Sequence, residues 1–452
     1  MRNIYKNHHK KYQFMKRIYL IISIFAIALA GCRKTDDTNE IEGTVITELR
    51  SHTEKSPNPM NVANCRLPKS KETLESLTHV SKNRLFYMDY LADFPMEELC
   101  KTGSARYTSD AALEGEKMFY TDYLDLLYYE HADPIPMDDP LVCSAFICQN
   151  EKQNNLLCQN MDGAGGSIIA LYQRPKPGQY GFVSLSSTIY NGIRVAPEYL
   201  IDGCLMDGET DLSYLLTQHI ADLGGMNDQG LCYCVLQLPP LQEPDDYDST
   251  STLPHITVEN KNGDYSLPQL TYPSMYYMLL TRCATVDDAE DMLRNDFDFT
   301  HLNYIMNGHL LIADVTGDYA VFEYWNDTLY VLRADERKVI LEHTSHVIPF
   351  EYCSLENYYC NLEATKTYMQ DEWQYAFSAK TRVGRMMNSY RPVMSEFEAL
   401  KCLQEGTYAI EYPDMLTNYS AVYNANQRTV LFNVHNDMSE AFTIDLKKDL
   451  KQ

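Results

Sequence analysis

Basic side chains are scarce in this chain. Its 452 residues carry 38 Lys and Arg against 63 Asp and Glu, a formal charge of −25. That balance excludes nucleic acid as a partner, because counterion release needs clustered cations, and it disfavours direct adhesion to anionic lipid. Tryptophan is nearly missing, with 2 residues against 35 tyrosines. The aromatic surface is therefore amphipathic and suits a partly polar interior or an aromatic-lined pocket. Long apolar runs are missing as well: Ile18 to Ala30 is too short to span a bilayer as a settled helix. Paired metal-ligand motifs are also absent. Cys232-Tyr233-Cys234 resembles half a zinc site, but no Cys or His pair follows it at zinc spacing, so it reads as a strand with alternating partners. No metal or other cofactor is expected.

What is present begins at the N-terminus. Lys10, Lys11, Lys16 and Arg17 precede the apolar run, which stops at Leu29-Ala30-Gly31-Cys32. A cationic flank and an apolar core of this length make a signal-peptide h-region, with Met15 as an alternative start. Leu-Ala-Gly-Cys is the pattern of a bacterial lipobox, in which the cysteine is lipidated and becomes the mature terminus. Residues 1–32 are expected to be a lipoprotein signal ending at Cys32. The mature protein is then exported and tethered to the cell envelope, touching membrane through its lipid anchor only. The spacing of the 13 cysteines shows no disulfide framework: without Cys32 and Cys143 an odd number remains, and small buried thiols are common in cores.

An apolar content of 45% with 22% charged residues describes a globular protein with ample core, and the length fits one large domain with accessory segments. Residues 33–58 are polar and read as a flexible tether. Residues 59–142 read as a helical segment, in which Phe86-Tyr87-Met88-Asp89-Tyr90-Leu91 recurs as Phe119-Tyr120-Thr121-Asp122-Tyr123-Leu124, two amphipathic helices using one aromatic face. Prolines at 134, 136 and 140 stop helix and leave an extended approach to Cys143. From 143 strands dominate, at Ser167–Tyr172, Tyr180–Ser187, His309–Asp314, Tyr319–Trp325, Thr328–Arg333, Lys338–Glu342, Ser420–Asn424 and Thr429–Val434. Capping boxes at Thr285/Asp288 and Ser395/Glu398 open two helices. Strands in pairs with intervening helices give mixed α+β layers.

The motif with chemical content is Cys143-Ser144-Ala145-Phe146-Ile147 followed by Gln159-Asn160-Met161-Asp162, a strand opening on cysteine and a second ending in Asn-x-Asp. Cutting the Val142–Cys143 peptide would place a thiol and an α-amine on one residue, nucleophile and base together. Three further blocks follow in order: Gly225-Met226-Asn227-Asp228-Gln229-Gly230-Leu231, His309 through Asp314 and Gly317 to Glu323, and Asn418-Tyr419-Ser420-Ala421-Val422-Tyr423. Together the four blocks resemble the linear amide C–N hydrolases of the N-terminal-nucleophile superfamily, which include choloylglycine hydrolases, penicillin V acylases and isopenicillin-N acyltransferase-like proteins.

The resemblance implies a four-layer αββα sandwich over 143–452, preceded by a pro-segment. It implies a cysteine amidohydrolase acting on a small-molecule acyl-amide, such as an N-acyl amino acid, a bile salt or an acyl-lactam. An acyltransferase using the same acyl-enzyme and an inactive binding lipoprotein are its alternatives, and a homo-oligomer is compatible with each. Cys143 falls on the nucleophile, Asp162 on the residue that holds the new α-amine, and Arg382 on the late arginine, with Arg385 close by. Three positions depart: Gln159 stands where arginine is usual, Gln237 where an oxyanion-binding asparagine is expected, and Ser345 where another asparagine is expected.

Overall fold

A computed structural model describes residues 39–55, 68–81, 84–92, 143–163, 166–188, 222–237, 272–296, 308–325, 328–333, 353–355, 382–407 and 416–451, with Leu212, Leu215, Leu216 and His219. The chain divides at Asn39, and from Glu40 onward it is one compact unit. The fold is mixed α+β, built on two large sheets.

The strands before Cys143 are β1 (Asn39–Ile41), β2 (Thr44–Glu48), β3 (Glu54–Lys55), β4 (Thr78–Ser81) and β5 (Leu85–Asp89). After it come β6 (Ser144–Gln149), β7 (Asn155–Gly163), β8 (Ile168–Gln173), β9 (Phe182–Ser187), β10 (Asp222–Asn227) and β11 (Cys232–Gln237). The C-terminal part supplies β12 (Gly308–Ala313), β13 (Tyr319–Trp325), β14 (Thr328–Arg333), β15 (Cys353–Leu355), β16 (Leu416–Asn424), β17 (Thr429–Val434) and β18 (Glu440–Asp445). One sheet runs β1-β2-β18-β17-β16-β7-β6-β15, the other β14-β13-β12-β11-β10-β9-β8-β5-β4-β3.

Strand β7 shows why the first sheet sits where it does. Every residue from Asn155 to Gly163 is buried, so its sequence lacks polar alternation, as expected of a strand covered on both faces. Its side chains nevertheless divide by the period of two. Leu157 and Met161 join the core shared with the second sheet, whereas Leu156 and Cys158 pack with Met386, Phe397, Leu400 and Leu403. Those last residues belong to helices α4 (Arg382–Ser389) and α5 (Glu396–Gln404). The sheets meet where β11 lies against β6 and β7. The other described helices are α1 (Pro68–Glu75), α2 (Tyr272–Arg282), which lies on β10, α3 (Val286–Asn295) and the short α6 (Leu446–Asp449). Both capping boxes are formed, Thr285 with Asp288 and Ser395 with Glu398.

Two expectations for the region before Cys143 are corrected. Residues 33–58 are not a tether throughout, since β2 pairs in parallel with β18 inside the first sheet. Phe86–Leu91 is not an amphipathic helix, since β5 is a strand paired in parallel with β8. Leu85, Phe86 and Met88 are all fully buried, so both faces of β5 are covered. A short apolar run of this kind carries neither helical nor alternating periodicity. The repeat at 119–124, the proline-rich approach at 133–140 and the strand expected at 338–342 lie outside the described residues.

Asp449 ties α6 to the body and carries a pH prediction. Burial pushes its carboxyl up to about 6 from 3.8, opposed by the Asp445 amide and by Arg50. The folded chain therefore holds a proton that the unfolded chain has released, and stability falls as pH rises from roughly 4 to 6. Discounted for solvent screening, that loss is about 2 kcal/mol. Asp449→Asn is expected to recover it at pH 7 and to change little at pH 4, as read by urea denaturation at the two pH values.

Candidate functional site

Cys143 lies immediately before β6 and is 3% exposed. The antiparallel register pairs Ser144 with Asn160, which puts Cys143 opposite Met161 at one end of the first sheet. Its Sγ is 3.7 Å from the Asp162 carbonyl oxygen and 3.9 Å from Met161 Sδ. Val142 lies outside the described residues.

Asp162 is 1% exposed. Its carboxyl accepts a hydrogen bond from the Thr417 hydroxyl, its partner across the β7–β16 ladder. The register of β16 shifts between Thr417 and Tyr419. Such an irregularity re-aims a side chain at the end of a ladder, and here it falls beside the residue that anchors Asp162. Next to this pair a buried ladder crosses the sheet: Asn160 donates to Ser144 Oγ (3.2 Å) and to the Leu403 carbonyl (2.8 Å), and Ser420 donates to Asn160 Oδ1 (2.7 Å). Satisfied networks of this kind rigidify their surroundings, so the strand ends carrying Cys143 and Asp162 are held firmly.

Gln159 is fully buried and links the two sheets. Its Nε2 donates to the Val235 carbonyl at 3.4 Å, and its Oε1 accepts from the Tyr419 hydroxyl at 3.4 Å. Burial holds the Tyr419 phenol well above its usual range. Gly224 makes room for this contact, because a Cβ there would strike Gln159 Oε1 and lie 2.8 Å from the Tyr423 hydroxyl. Gly224→Ala is expected to cost on the order of 2 kcal/mol by overpacking, seen as a lower urea midpoint with an unchanged slope.

The remaining expected residues are placed less fully. Gln237 ends β11 opposite Gly308, and Arg382 opens α4. Arg385 is exposed and donates to the Glu405 carbonyl at 3.3 Å. Cys32 and Ser345 lie outside the described residues. Two motif blocks prove to be struts. Asn227 donates to the Leu280 and Cys283 carbonyls at 3.0 and 2.7 Å and accepts from the amides of Gln229, Gly230 and Leu231. It closes the end of α2 and its own turn at once. Asp314 accepts from the Val286 amide at 2.8 Å, capping the start of α3. Cys232 is buried against the Ala313 carbonyl.

Sequence reasoning missed Thr417, Tyr419 and Gly224 as site residues. Thr417 and Tyr419 fall in or beside the closing strand block, but nothing in that block distinguishes a ladder residue from one that holds a carboxyl.

Comparison with protein-family models gives no match, nor does comparison with curated proteins. Among solved structures the chain is similar to penicillin V acylase from Agrobacterium tumefaciens, at 17% identity over 68% of this chain and 88% of that one, with a TM-score of 0.39. It is similar to a variant of conjugated bile acid hydrolase from Clostridium perfringens, at 14% identity over 69% and 94%, TM-score 0.42. A Caenorhabditis elegans N-acylethanolamine-hydrolyzing acid amidase ortholog matches at 12% identity over 63% and 93%, TM-score 0.36.

Proposed function

We propose that this chain is a cysteine amidohydrolase that cleaves a linear, non-peptide C–N bond of a small acyl-amide through an acyl-thioester on Cys143. The observation that supports it best is the juxtaposition of a buried cysteine at a strand start with a buried carboxyl on the next strand, Sγ 3.7 Å from the backbone of that same residue. In this reading Val142–Cys143 is cut first, giving Cys143 a free α-amine. An α-amine has a pKa near ~8, so a useful fraction is neutral at physiological pH and takes the thiol proton. The thiolate attacks the amide carbon, the oxyanion is met by donors, and the protonated amine leaves. Water then releases the acid and restores the thiol. Asp162, fixed by Thr417, anchors and orients the α-amine. Arg382 supplies the cation that favours thiolate, and Gln237 and Ser345 supply donors to the oxyanion, each worth about 3 kcal/mol.

The same reading takes the two facing sheets, with α4 and α5 on one and α2 on the other, as an αββα sandwich. It takes residues 59–142 as a pro-segment and Cys32 as the lipid anchor of an exported protein. The engagement of Gln159 favours a second reading, a binding lipoprotein that keeps the fold without turnover. A neutral amide already tied to Val235 and Tyr419 does not replace a permanent charge beside the thiol.

Intact mass of the purified protein separates the two. The hydrolase predicts a break between Val142 and Cys143, lost in Cys143→Ala, and acid release from a panel of N-acyl amino acids and bile salts. A chain that stays whole, with no alkylation at Cys143 and no acid released, sinks the enzyme and leaves the binding protein.

A further inference from the structure

One polar cluster lies next to this site and is used by none of the steps above. Asn418 is the residue at the register shift of β16, between Thr417 and Tyr419. It is fully buried, and both atoms of its side-chain amide lack a hydrogen-bond partner. Its backbone carbonyl accepts from the amide of His435 at 3.1 Å, which makes the two residues cross-strand neighbours at the open end of the ladder. His435 is 3% exposed, and its Nε2 is 2.9 Å from the Gly166 carbonyl. A carbonyl only accepts, so Nε2 carries the proton and Nδ1 is left as a bare acceptor. That Nδ1 also has no partner. Burial pushes the imidazole down to about 4, so it is neutral at physiological pH.

The cluster continues around the crossing from β7 to β8. Ser167 and Thr188 bond each other through backbone and hydroxyl, and beside them Ser187, 1% exposed, has an unpartnered hydroxyl. Buried polar groups left unpaired are costly. Here the Asn418 amide and the His435 imidazole are left so at cross-strand positions, while the neighbouring Asn160 ladder is bonded along its length.

We infer that Asn418 and His435 form a subsite for an uncharged substrate group that both donates and accepts hydrogen bonds, a hydroxyl or a carboxamide. A carboxylate would meet the bare acceptor Nδ1, and an ammonium would meet the amide N–H₂, each without a counter-charge from these two side chains. An apolar group would leave all three orphan atoms unpaired. Strand β16 lies two places from β6 and the end of β17 three, at about 4.8 Å per place, so the subsite is roughly 10–15 Å from the thiol. The inference rests on the hydrolase reading and adds to it a substrate class: acyl-amides bearing a hydroxyl or carboxamide at that distance from the scissile carbonyl.

The test uses binding, so that it reads the subsite whether or not the protein turns over. N-acyl amino acid analogues, with the amide nitrogen replaced by methylene, are titrated calorimetrically against the full chain. One analogue carries a plain alkyl chain and the others a single hydroxyl moved stepwise along it. One hydroxyl position is expected to tighten binding about tenfold or more over the plain analogue. Asn418→Leu and Asn418→Ala are each expected to bring the ratio of the two dissociation constants to about one. His435→Phe, which removes both ring nitrogens, reads the second group independently and is expected to bring the same ratio to about one. Plain analogues that bind with no preferred hydroxyl position, or a preference that survives both Asn418 variants, overturn the subsite and leave the hydrolase reading standing. Failure of every analogue to bind, together with an uncut chain, overturns both.

Discussion

A chain lacking residues 40–92 is expected not to fold, and a chain cut before Cys143 is expected to keep both parts together until denaturant separates them. The segment contributes Leu49, Leu74, Leu77, Leu85, Phe86, Met88 and Tyr90 to the core, none more than 2% exposed. At about 1.5–3 kcal/mol for each buried side chain, these are worth on the order of 10–20 kcal/mol. Separating two fragments releases about 4–15 kcal/mol of lost motion, so burial is of the same order or larger. Specific bonds then add to it. Strands β2 and β5 complete ladders with β18 and β8, Thr44 donates to the Met438 carbonyl at 2.8 Å, and the buried Tyr90 hydroxyl donates to the Leu216 carbonyl at 2.7 Å. The exposed pairs Lys448–Glu48 and Lys401–Glu42 contribute little, as surface ion pairs do. Phe86→Ala is expected to cost about 3–5 kcal/mol. Native mass spectrometry and a urea series on the cut protein read the outcome. Loss of the N-terminal fragment on simple dialysis would show that β2 and β5 are dispensable.

The place of β2 and β5 in the two sheets was hidden from the sequence for a physical reason. Strands after Cys143 were legible where polar and apolar residues alternate or where a turn signal separates two runs. Tyr319–Trp325, Thr328–Arg333 and Thr429–Val434 emerge with the expected bounds. The helices opened by Thr285 and Ser395 were legible because capping boxes are local chemistry. Leu85–Asp89 offers no such mark, since a strand buried on both faces and bounded by unremarkable residues can equally be read as helix. The site shows the same division. Cys143 and Asp162 were legible as the ends of two adjacent strands, and the ladder brings them together. The hydroxyls of β16 that meet Asp162 and Gln159 come from more than 250 residues away, and the Val235 carbonyl that Gln159 also bonds lies on β11; only the fold brings them together.

Those distant partners set the second large effect. Asp162→Asn is expected to lower turnover about a thousandfold, the middle of the range that a positioned acid–base group contributes. An asparagine keeps the shape of the side chain and still accepts from Thr417, but it loses the charge that would hold the α-amine in place. Thr417→Val attacks the same role from the other side. It leaves a buried carboxyl without its hydroxyl donor, at a cost of about 1–3 kcal/mol, and removes the bond that orients it across the β7–β16 ladder. Thr417→Ser restores the donor and is expected to recover both stability and rate. The pattern distinguishes positioning from support. Asp162→Asn should lose rate with little loss of stability, Thr417→Val should lose both, and Thr417→Ser neither. If all three variants track stability alone and turnover per folded molecule is unchanged, Asp162 serves the ladder, and the group that holds the Cys143 α-amine must be sought among residues nearer to the thiol.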